Sequence, residues 1–259
     1  KPIIIDGAMG TELISRGIPT PLPLWSATAN ISHRKIISEI HSDYIKAGSN
    51  VITTNTFRTT IRSYFKAGYN IKDAHLLSKK SFTNAIKAAK KATLNNNTLI
   101  ALSIAPLEDC YEPDLFPGSH IALSEYKTIL QMINKDDVDI ILFETMGCYK
   151  EIKSALIVSS KIKTIKWLSI ILKDSNSILD GTSIEKVIDI ALKYNVDALL
   201  VNCTPLSIIN KPIDKIINKW VGKWGIYPNV GLSMPTKDGY FKKTVDNDLF
   251  LKEVSMYVD

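Results

Sequence analysis

The chain has 259 residues, of which 45% are hydrophobic and 22% charged, and its formal net charge is +6. This length and balance predict a single globular domain over residues 1–259 and exclude a disordered chain. No run approaches the ~20 apolar residues of a membrane span, and the lysines are scattered instead of forming a basic patch with aromatic residues. We therefore expect neither a membrane nor a nucleic acid as partner.

The cysteines and the first residues indicate the compartment. Cys110, Cys148 and Cys203 are odd in number and far apart, which is not the pattern of a disulfide framework and fits a reducing environment. The apolar start is interrupted at Asp6 and is too short for a signal peptide. We expect a cytoplasmic protein.

Short apolar runs and helical patterns alternate along the chain. The runs predict seven strands, and because they are continuous they indicate strands buried on both faces of a parallel sheet. They lie at residues 3–5, 51–54, 99–103, 140–143, 167–172, 198–201 and 225–227. Apolar residues at helical spacing predict seven amphipathic helices, at residues 36–45, 76–89, 126–133, 152–159, 184–191, 213–220 and 249–257.

The alternation of strands and helices predicts the fold class. Seven strand–helix units favour an α/β fold of the (β/α)₈ TIM-barrel type, with the eighth unit expected beyond Asp259. A doubly wound open sheet is the alternative. Ser32 is the expected N-cap of the first predicted helix, and Gly48 is expected to end it.

Chemistry-bearing residues follow the predicted strands, where a barrel places its active site. Asp6 and Glu144 follow the first and fourth strands, and two acids at one mouth suit a cation such as the ammonium of an amino acid. Gly7 and Gly10 allow backbone N–H groups to approach an anion such as a carboxylate. The thiol of Cys203, after the sixth strand, suits a soft metal or a nucleophile.

Each of these residues also has a structural interpretation. Asp6 can cap a turn, Gly7 and Gly10 can form a tight turn, and a lone Cys203 can be an inert small apolar residue. Glu144 is harder to explain structurally, because an acid after an apolar strand needs a partner. The histidines fall on helices or loops away from the predicted strand ends, and we interpret them as surface or helix residues instead of a catalytic base: His33, His41, His75 and His120.

Seven motifs in order resemble the homocysteine S-methyltransferase family. The resemblance extends over essentially the whole chain, and although each motif is weak alone, their order and spacing make the match specific. They are IDGAMGTEL at residues 5–13, LWSA at 24–27, HSDYIKAGSNVITTNTF at 41–57, FET at 143–145, DGT at 180–182, VNC at 201–203 and YPN at 227–229.

The resemblance implies a (β/α)₈ barrel that transfers a methyl group to the thiol of homocysteine with Zn²⁺ as cofactor, giving methionine. It implies that Asp6 and Glu144 hold the substrate ammonium, and that the backbone of Gly7 and Ala8 receives the carboxylate. Cys203 is implied as a zinc ligand. The remaining pocket residues it implies are Asn55, Asn202 and Asn229.

The chain departs from the family pattern in its zinc ligands. The family's other two ligands are adjacent cysteines after the eighth strand, so we expect them beyond Asp259. Replacement of that pair by Cys110 and Cys148 is an alternative, as is a non-catalytic relict that only binds an amino acid.

The motifs also bear on the second substrate. The LWSA motif at residues 24–27 is similar to members that use S-methylmethionine or S-adenosylmethionine as methyl donor. The segment PLEDCYEPDL at residues 106–115 resembles a less characterised branch, which leaves the donor and the thiol acceptor open.

Overall fold

The computed structural model describes residues 2–210, 213–233, 236 and 241–257. In this part of the chain, six parallel strands form one sheet in the order in which they occur in the sequence. The strands are β1 (Val51–Thr53), β2 (Leu99–Ile104), β3 (Ile140–Met146), β4 (Ile165–Ile170), β5 (Ala198–Pro205) and β6 (Lys223–Asn229). This order contradicts the doubly wound alternative, in which the strand order reverses.

Helices connect the consecutive strands. All seven predicted helices are confirmed, as α3, α5, α6, α7, α8, α10 and α11. The α-helices are α1 (Met9–Ser15), α2 (Ala29–Ser32), α3 (Arg34–Lys46), α4 (Ile61–Lys66), α5 (Ile71–Thr93), α6 (Ser119–Gln131), α7 (Tyr149–Ser159), α8 (Ile184–Lys193), α9 (Leu206–Ile209), α10 (Ile213–Lys219) and α11 (Asn247–Ser255). No helix within the described ranges is long and apolar enough to cross a bilayer.

The first predicted strand is shorter than expected. Of residues 3–5, only Ile5 pairs, through an isolated parallel bridge to Val51. The side chains of Ile3 and Ile4 are 47% and 51% exposed, so they add little burial to hold a longer strand. Pro2 lacks the N–H that would extend the ladder. The bridge still places Asp6 beside β1, where its N–H donates to the Val51 carbonyl at 2.9 Å.

The prediction for α3 is correct at its C-terminal end and wrong at its N-cap. Gly48 follows the helix with φ +109°, a left-handed conformation that a glycine adopts without strain, as expected. Ser32 is not its N-cap, because Ser32 is the last residue of α2 and its hydroxyl donates to the Thr28 carbonyl at 3.0 Å. His33 takes the cap position, but its side chain makes no hydrogen bond to the N–H groups of the first turn.

The sheet is buried on both faces, as its continuous apolar runs predict. One face packs against the helices through residues such as Leu102, Ile141 and Phe143. The opposite face forms a second core from Val51, Ala101, Ile140, Leu142, Trp167, Ala198 and Leu200. We call this the inner face, since Ile5 and Tyr227 pack against it from the two ends of the sheet.

Candidate active site

The inner face changes from apolar to polar at the carboxyl ends of the strands. Side chains alternate along a strand, so the residue two positions after an inward-facing one faces inward again. Two positions after Ala101, Leu142 and Leu200, for example, the chain places a hydroxyl, a carboxylate and an amide. The resulting polar layer consists of Thr53, Ser103, Glu144, Ser169, Asn202 and Tyr227, one from each strand.

Glu144 lies near the middle of the polar layer and is held by its neighbours. The Ser103 hydroxyl donates to its Oε2, and the Tyr227 hydroxyl donates to its Oε1 at 3.3 Å. Burial raises the pKa of Glu144, and these two hydrogen bonds lower it by a smaller amount. The carboxyl group therefore gains from a cationic ligand, which would stabilise its ionised form.

Asp6 is the second carboxylate of the site. Thr53 donates to it twice, from its N–H at 2.9 Å and from its hydroxyl at 2.8 Å, and the Asp6 side chain is only 3% exposed. Burial raises the pKa of Asp6 from 3.8 to about 7, against the opposing effect of the Thr53 bonds, and the charge of Glu144 raises it further. Glu144 is thus close enough to disfavour the ionisation of Asp6.

Cys203 is displaced from the regular strand by a bulge. The pairing of β5 with β6 shifts between Asn202 and Pro205, and Cys203 has φ +50°. A similar irregularity in β3 accompanies φ +61° at Thr145. Bulges and left-handed non-glycine residues concentrate at functional sites, where they redirect side chains.

The Cys203 thiol is surrounded by polar groups. The Asn202 amide donates to its Sγ at 3.2 Å, and the Thr145 hydroxyl lies 3.8 Å from the same atom. The Asn229 amide donates to the Cys203 carbonyl at 2.7 Å. Burial, aided by the charge of Glu144, raises the pKa of Cys203 to about 11. The protein groups alone therefore keep this thiol protonated at neutral pH.

A clamped loop brings one more side chain to Cys203. Residues 106–111 follow β2, and the Tyr111 hydroxyl interacts with the Cys203 thiol and with Asn229. Burial raises the pKa of Tyr111, so its phenol remains a hydrogen-bond donor. Three contacts anchor the loop. The Leu107 N–H donates to the Glu151 carboxylate at 2.8 Å, and ion pairs join Glu108 to Arg62 at 2.9 Å and Asp109 to Arg58 at 3.1 Å.

The glycines after Asp6 are required by close packing instead of by a turn. A Cβ on Gly7 would lie 2.8 Å from the Tyr44 ring, and one on Gly10 would lie 2.4 Å from Trp25 Nε1. Neither glycine has a positive φ. Gly7 and Ala8, directly after Asp6, are exposed residues.

The three predicted asparagines have different surroundings. Asn202 and Asn229 contact Cys203. Asn55 instead belongs to a buried network, in which its Oδ1 accepts from the Ser26 hydroxyl at 2.6 Å and its Nδ2 donates to Asn30 Oδ1 at 3.0 Å. Its amide is 4% exposed and bonded at both ends, so its hydrogen bonds hold the 3₁₀ turn at Trp25–Thr28 and α2 beside the end of β1.

One histidine lies closer to the site than the sequence indicates. His33, His75 and His120 are partly or fully exposed, as expected. His41 was expected to lie away from the strand ends, and this is wrong: its ring is completely buried, with Nδ1 3.9 Å from Asp6 Oδ2. His41 lies on the face of α3 that packs toward Asp6. A helical sequence pattern does not reveal which residue that face will contact.

Several site residues are missed when only the residues after each predicted strand are considered. Thr53, Ser169 and Tyr227 lie inside the predicted strands, so a search restricted to the positions beyond the strand ends passes over them. The alternation of side chains could have found all three, because each stands two positions after an inner residue. Tyr111 carries no such signal, since only the loop anchors bring it to Cys203.

The three cysteines do not form a metal site together. Cys110 and Cys148 are buried, and no group of three histidine, cysteine or acidic side chains suited to a metal occurs in the described part of the chain. Among the described residues, Cys203 is therefore the one candidate thiol ligand at the site. A catalytic zinc has three protein ligands, so two more would be needed.

The family of the chain is decided by the sequence as a whole. The profile of the homocysteine S-methyltransferase family matches residues 3–254. The chain belongs to this family. The resemblance carried by the seven motifs is thereby confirmed, and with it the assignment of the chain to a family of enzymes.

Relatives in this family cover nearly the full chain. The homocysteine S-methyltransferase of Escherichia coli K12 is 27% identical over 88% of this chain and 78% of its own length. The selenocysteine Se-methyltransferase of Brassica oleracea var. italica is 29% identical over 99% of this chain and 81% of its own. The metallated form of the homocysteine methyltransferase MmuM from Escherichia coli is 26% identical with a TM-score of 0.77, covering 89% of this chain and 85% of that one.

Proposed function

We propose that this protein transfers a methyl group to the thiol of homocysteine and forms methionine. The observation that carries the proposal is that residues of the polar layer bring together two carboxylates, Asp6 and Glu144, and the Cys203 thiol in a chain from the homocysteine S-methyltransferase family. Homocysteine has an ammonium group at one end and a sulfur atom at the other, and the site offers a complementary group for each.

The ammonium group is assigned to Asp6 and Glu144. Each carboxyl group is buried with a raised pKa, and a cation between them would offset both the desolvation and the repulsion of two negative charges. Thr53 and Ser103 hold the two acids from behind, so binding requires little rearrangement. The substrate carboxylate is assigned to the backbone of Gly7 and Ala8 after Asp6.

The sulfur end is assigned to Cys203 and to a zinc ion. Asn202, Thr145 and Tyr111 direct polar atoms at the Cys203 sulfur, and the solved metallated form of MmuM supports a metal in a related protein. Zinc would lower the pKa of a bound thiol and so supply the thiolate that accepts the methyl group. Since Cys203 is one of three ligands, we propose that the others lie outside the described residues, in a cysteine pair beyond Asp259.

The chain's own residues position the sulfur. Asn202 is fixed in turn, because Ser169 donates to its Oδ1 at 2.7 Å while its Nδ2 donates to the Thr145 hydroxyl at 2.8 Å. Asn229 is held against the Cys203 carbonyl. Such positioning allows the sulfur and the methyl carbon to meet in line, and proximity accounts for much of the rate.

The second substrate is proposed from the sequence pattern around Trp25. We assign a small donor of the S-methylmethionine or S-adenosylmethionine type. The reaction uses reduced thiols, which fits the cytoplasmic location expected from the cysteines. In architecture, we propose one domain over residues 1–259 and a (β/α)₈ barrel, of which the six strands and the Ile5 bridge are the part described.

Metal analysis of the purified full-length protein with matched cysteine variants tests the proposal. We expect about one zinc per chain, with loss of both the zinc and methyl transfer in Cys203→Ala. Cys148→Ala is the matched control, because Cys148 is a buried thiol and the groups that shift its pKa, Glu151, Lys150 and Asp180, do not belong to the polar layer. Cys203→Ala with full activity would refute the assignment of the thiol, and a wild-type protein without zinc or activity would favour the non-catalytic relict.

Substrate binding is tested separately with Glu144→Gln. The amide keeps the size of the side chain and an acceptor for Ser103 but removes the charge. We expect roughly 10- to 100-fold weaker binding of L-homocysteine, because a charged hydrogen bond is lost, with zinc content unchanged. Unchanged affinity would contradict the ammonium assignment.

A further inference from the structure

The buried ring of His41 has no explanation in the packing of α3. Its side chain is 0% exposed, and neither ring nitrogen has a hydrogen-bond partner in the described structure. Buried polar atoms are nearly always paired, so an unpaired ring in a native core indicates a role. Burial lowers the pKa of His41 to about 4, and the neutral ring therefore has one N–H donor and one acceptor nitrogen.

The ring stands directly behind Asp6. Its Nδ1 is 3.9 Å from Asp6 Oδ2, roughly 1 Å longer than a normal hydrogen bond. Thr53 already donates to both carboxylate oxygens from the side of β1. His41 lies on α3, so a donor on Nδ1 would add a contact to Oδ2 from a different element.

We propose that His41 is a positioning residue for Asp6, whose Nδ1–H closes onto Oδ2 when the carboxylate is ionised against a bound ammonium group. The inference rests on the proposed function, which assigns the ammonium to Asp6. An ionised carboxylate attracts an N–H donor more strongly than a neutral carboxyl group does. The ring then orients the charged form and stabilises it without itself becoming charged.

The other titratable groups around Asp6 leave this task to His41. Glu144 on β3 raises the pKa of Asp6 by its negative charge. Tyr44 on α3 also lies near Asp6, but its hydroxyl donates to the Ala8 carbonyl at 3.4 Å, and burial raises its pKa to about 12, so it carries no charge. Glu12 and Arg16 act on Tyr44 with opposite effects on its pKa.

A matched pair of variants at position 41 tests the role. His41→Asn keeps an amide N–H at the position of Nδ1, whereas His41→Leu has nearly the same shape as asparagine and no donor. Binding of L-homocysteine is measured by calorimetry from pH 6 to 8.5 on the full-length protein loaded with its metal. We expect His41→Leu to bind roughly 10- to 100-fold more weakly at pH 7 and to shift the midpoint of the pH profile upward, and His41→Asn to recover most of both.

The outcomes separate this inference from the proposed function. If the pH profile of His41→Leu keeps the wild-type midpoint, the positioning role is overturned. This holds even if both variants bind L-homocysteine more weakly to the same extent. Asp6→Asn with wild-type affinity would instead refute the ammonium assignment, whatever His41 does. If His41→Leu does not fold, the ¹⁵N signal of His41 Nδ1–H in the wild-type protein decides: it should shift downfield when L-homocysteine is added, and an unchanged signal overturns the proposal.

Discussion

Replacing Asp6 by asparagine should change how the stability of the protein depends on pH. The folded protein raises the pKa of Asp6 from 3.8 to about 7, chiefly because its side chain is 3% exposed. An acid with a raised pKa in the folded state favours folding in its protonated form. The contribution of Asp6 to the free energy of unfolding is therefore highest below about pH 4, falls as the pH rises toward 7, and is constant above that.

The size of the effect can be worked from the two pKa values. The change from 3.8 to about 7 corresponds to about 4 kcal/mol, since each tenfold change in proton affinity is worth about 1.4 kcal/mol. Slightly more than half, about 2–3 kcal/mol, develops between pH 5 and pH 8. Asparagine resembles the protonated acid in shape and charge, so the variant should lack this loss and should be the more stable protein at pH 8.

Urea denaturation of both proteins at pH 5, 6, 7 and 8 measures the difference. We expect the stability of Asp6→Asn relative to wild type to rise by about 2–3 kcal/mol across this range. Asp43→Asn is the control: Asp43 is exposed and Arg16 lowers its pKa, so any dependence should have the opposite sign. A difference between Asp6→Asn and wild type that does not vary with pH would refute the burial argument for Asp6.

Three further substitutions test the packing that supports the site. Gly10→Ala should destabilise the protein by about 1–3 kcal/mol, because the new Cβ would lie 2.4 Å from Trp25 Nε1; a variant as stable as wild type in urea denaturation would contradict this contact. Glu151→Leu should cost about 1–3 kcal/mol, because it leaves the Leu107 N–H unpaired and removes the nearer of the two acceptors of the Tyr126 hydroxyl, whereas Glu151→Gln, which keeps an acceptor, should cost less. Asn55→Leu should reduce stability by a similar amount, so we expect a lower melting temperature and an unchanged zinc content. Loss of zinc with an unchanged melting temperature would contradict this structural role of Asn55.

The sequence determined the order of strands and helices, because this order depends on the local pattern of apolar residues. Continuous apolar runs produced the strands, and apolar spacing produced the helices, including α3, which ends just before Gly48 as predicted. It also placed the ends of β3 and β5 well enough to find Glu144 and Cys203. The strand at residues 3–5 was overestimated, because apolar composition does not reveal that Ile3 and Ile4 are exposed at the edge of the described sheet.

Contacts between distant segments were decided by the tertiary structure. Asn55 and Asn202 both come just after predicted strands, yet Ser26 and Asn30 bond to the first, while Ser169, Thr145 and Cys203 surround the second. Nothing in the local sequence distinguishes the two. The position of Tyr111 depends likewise on ion pairs and on Glu151, which belong to other parts of the chain.

The sequence by itself therefore determined the family, the alternation of strands and helices, and the pair of acids with a thiol near the strand ends. Only the tertiary structure placed His41 behind Asp6, and it did so because a helix 13 residues long turns one face inward against the first bridge of the sheet. A helical pattern shows that this face is buried, but its contacts there depend on how the helix packs against β1 and Asp6.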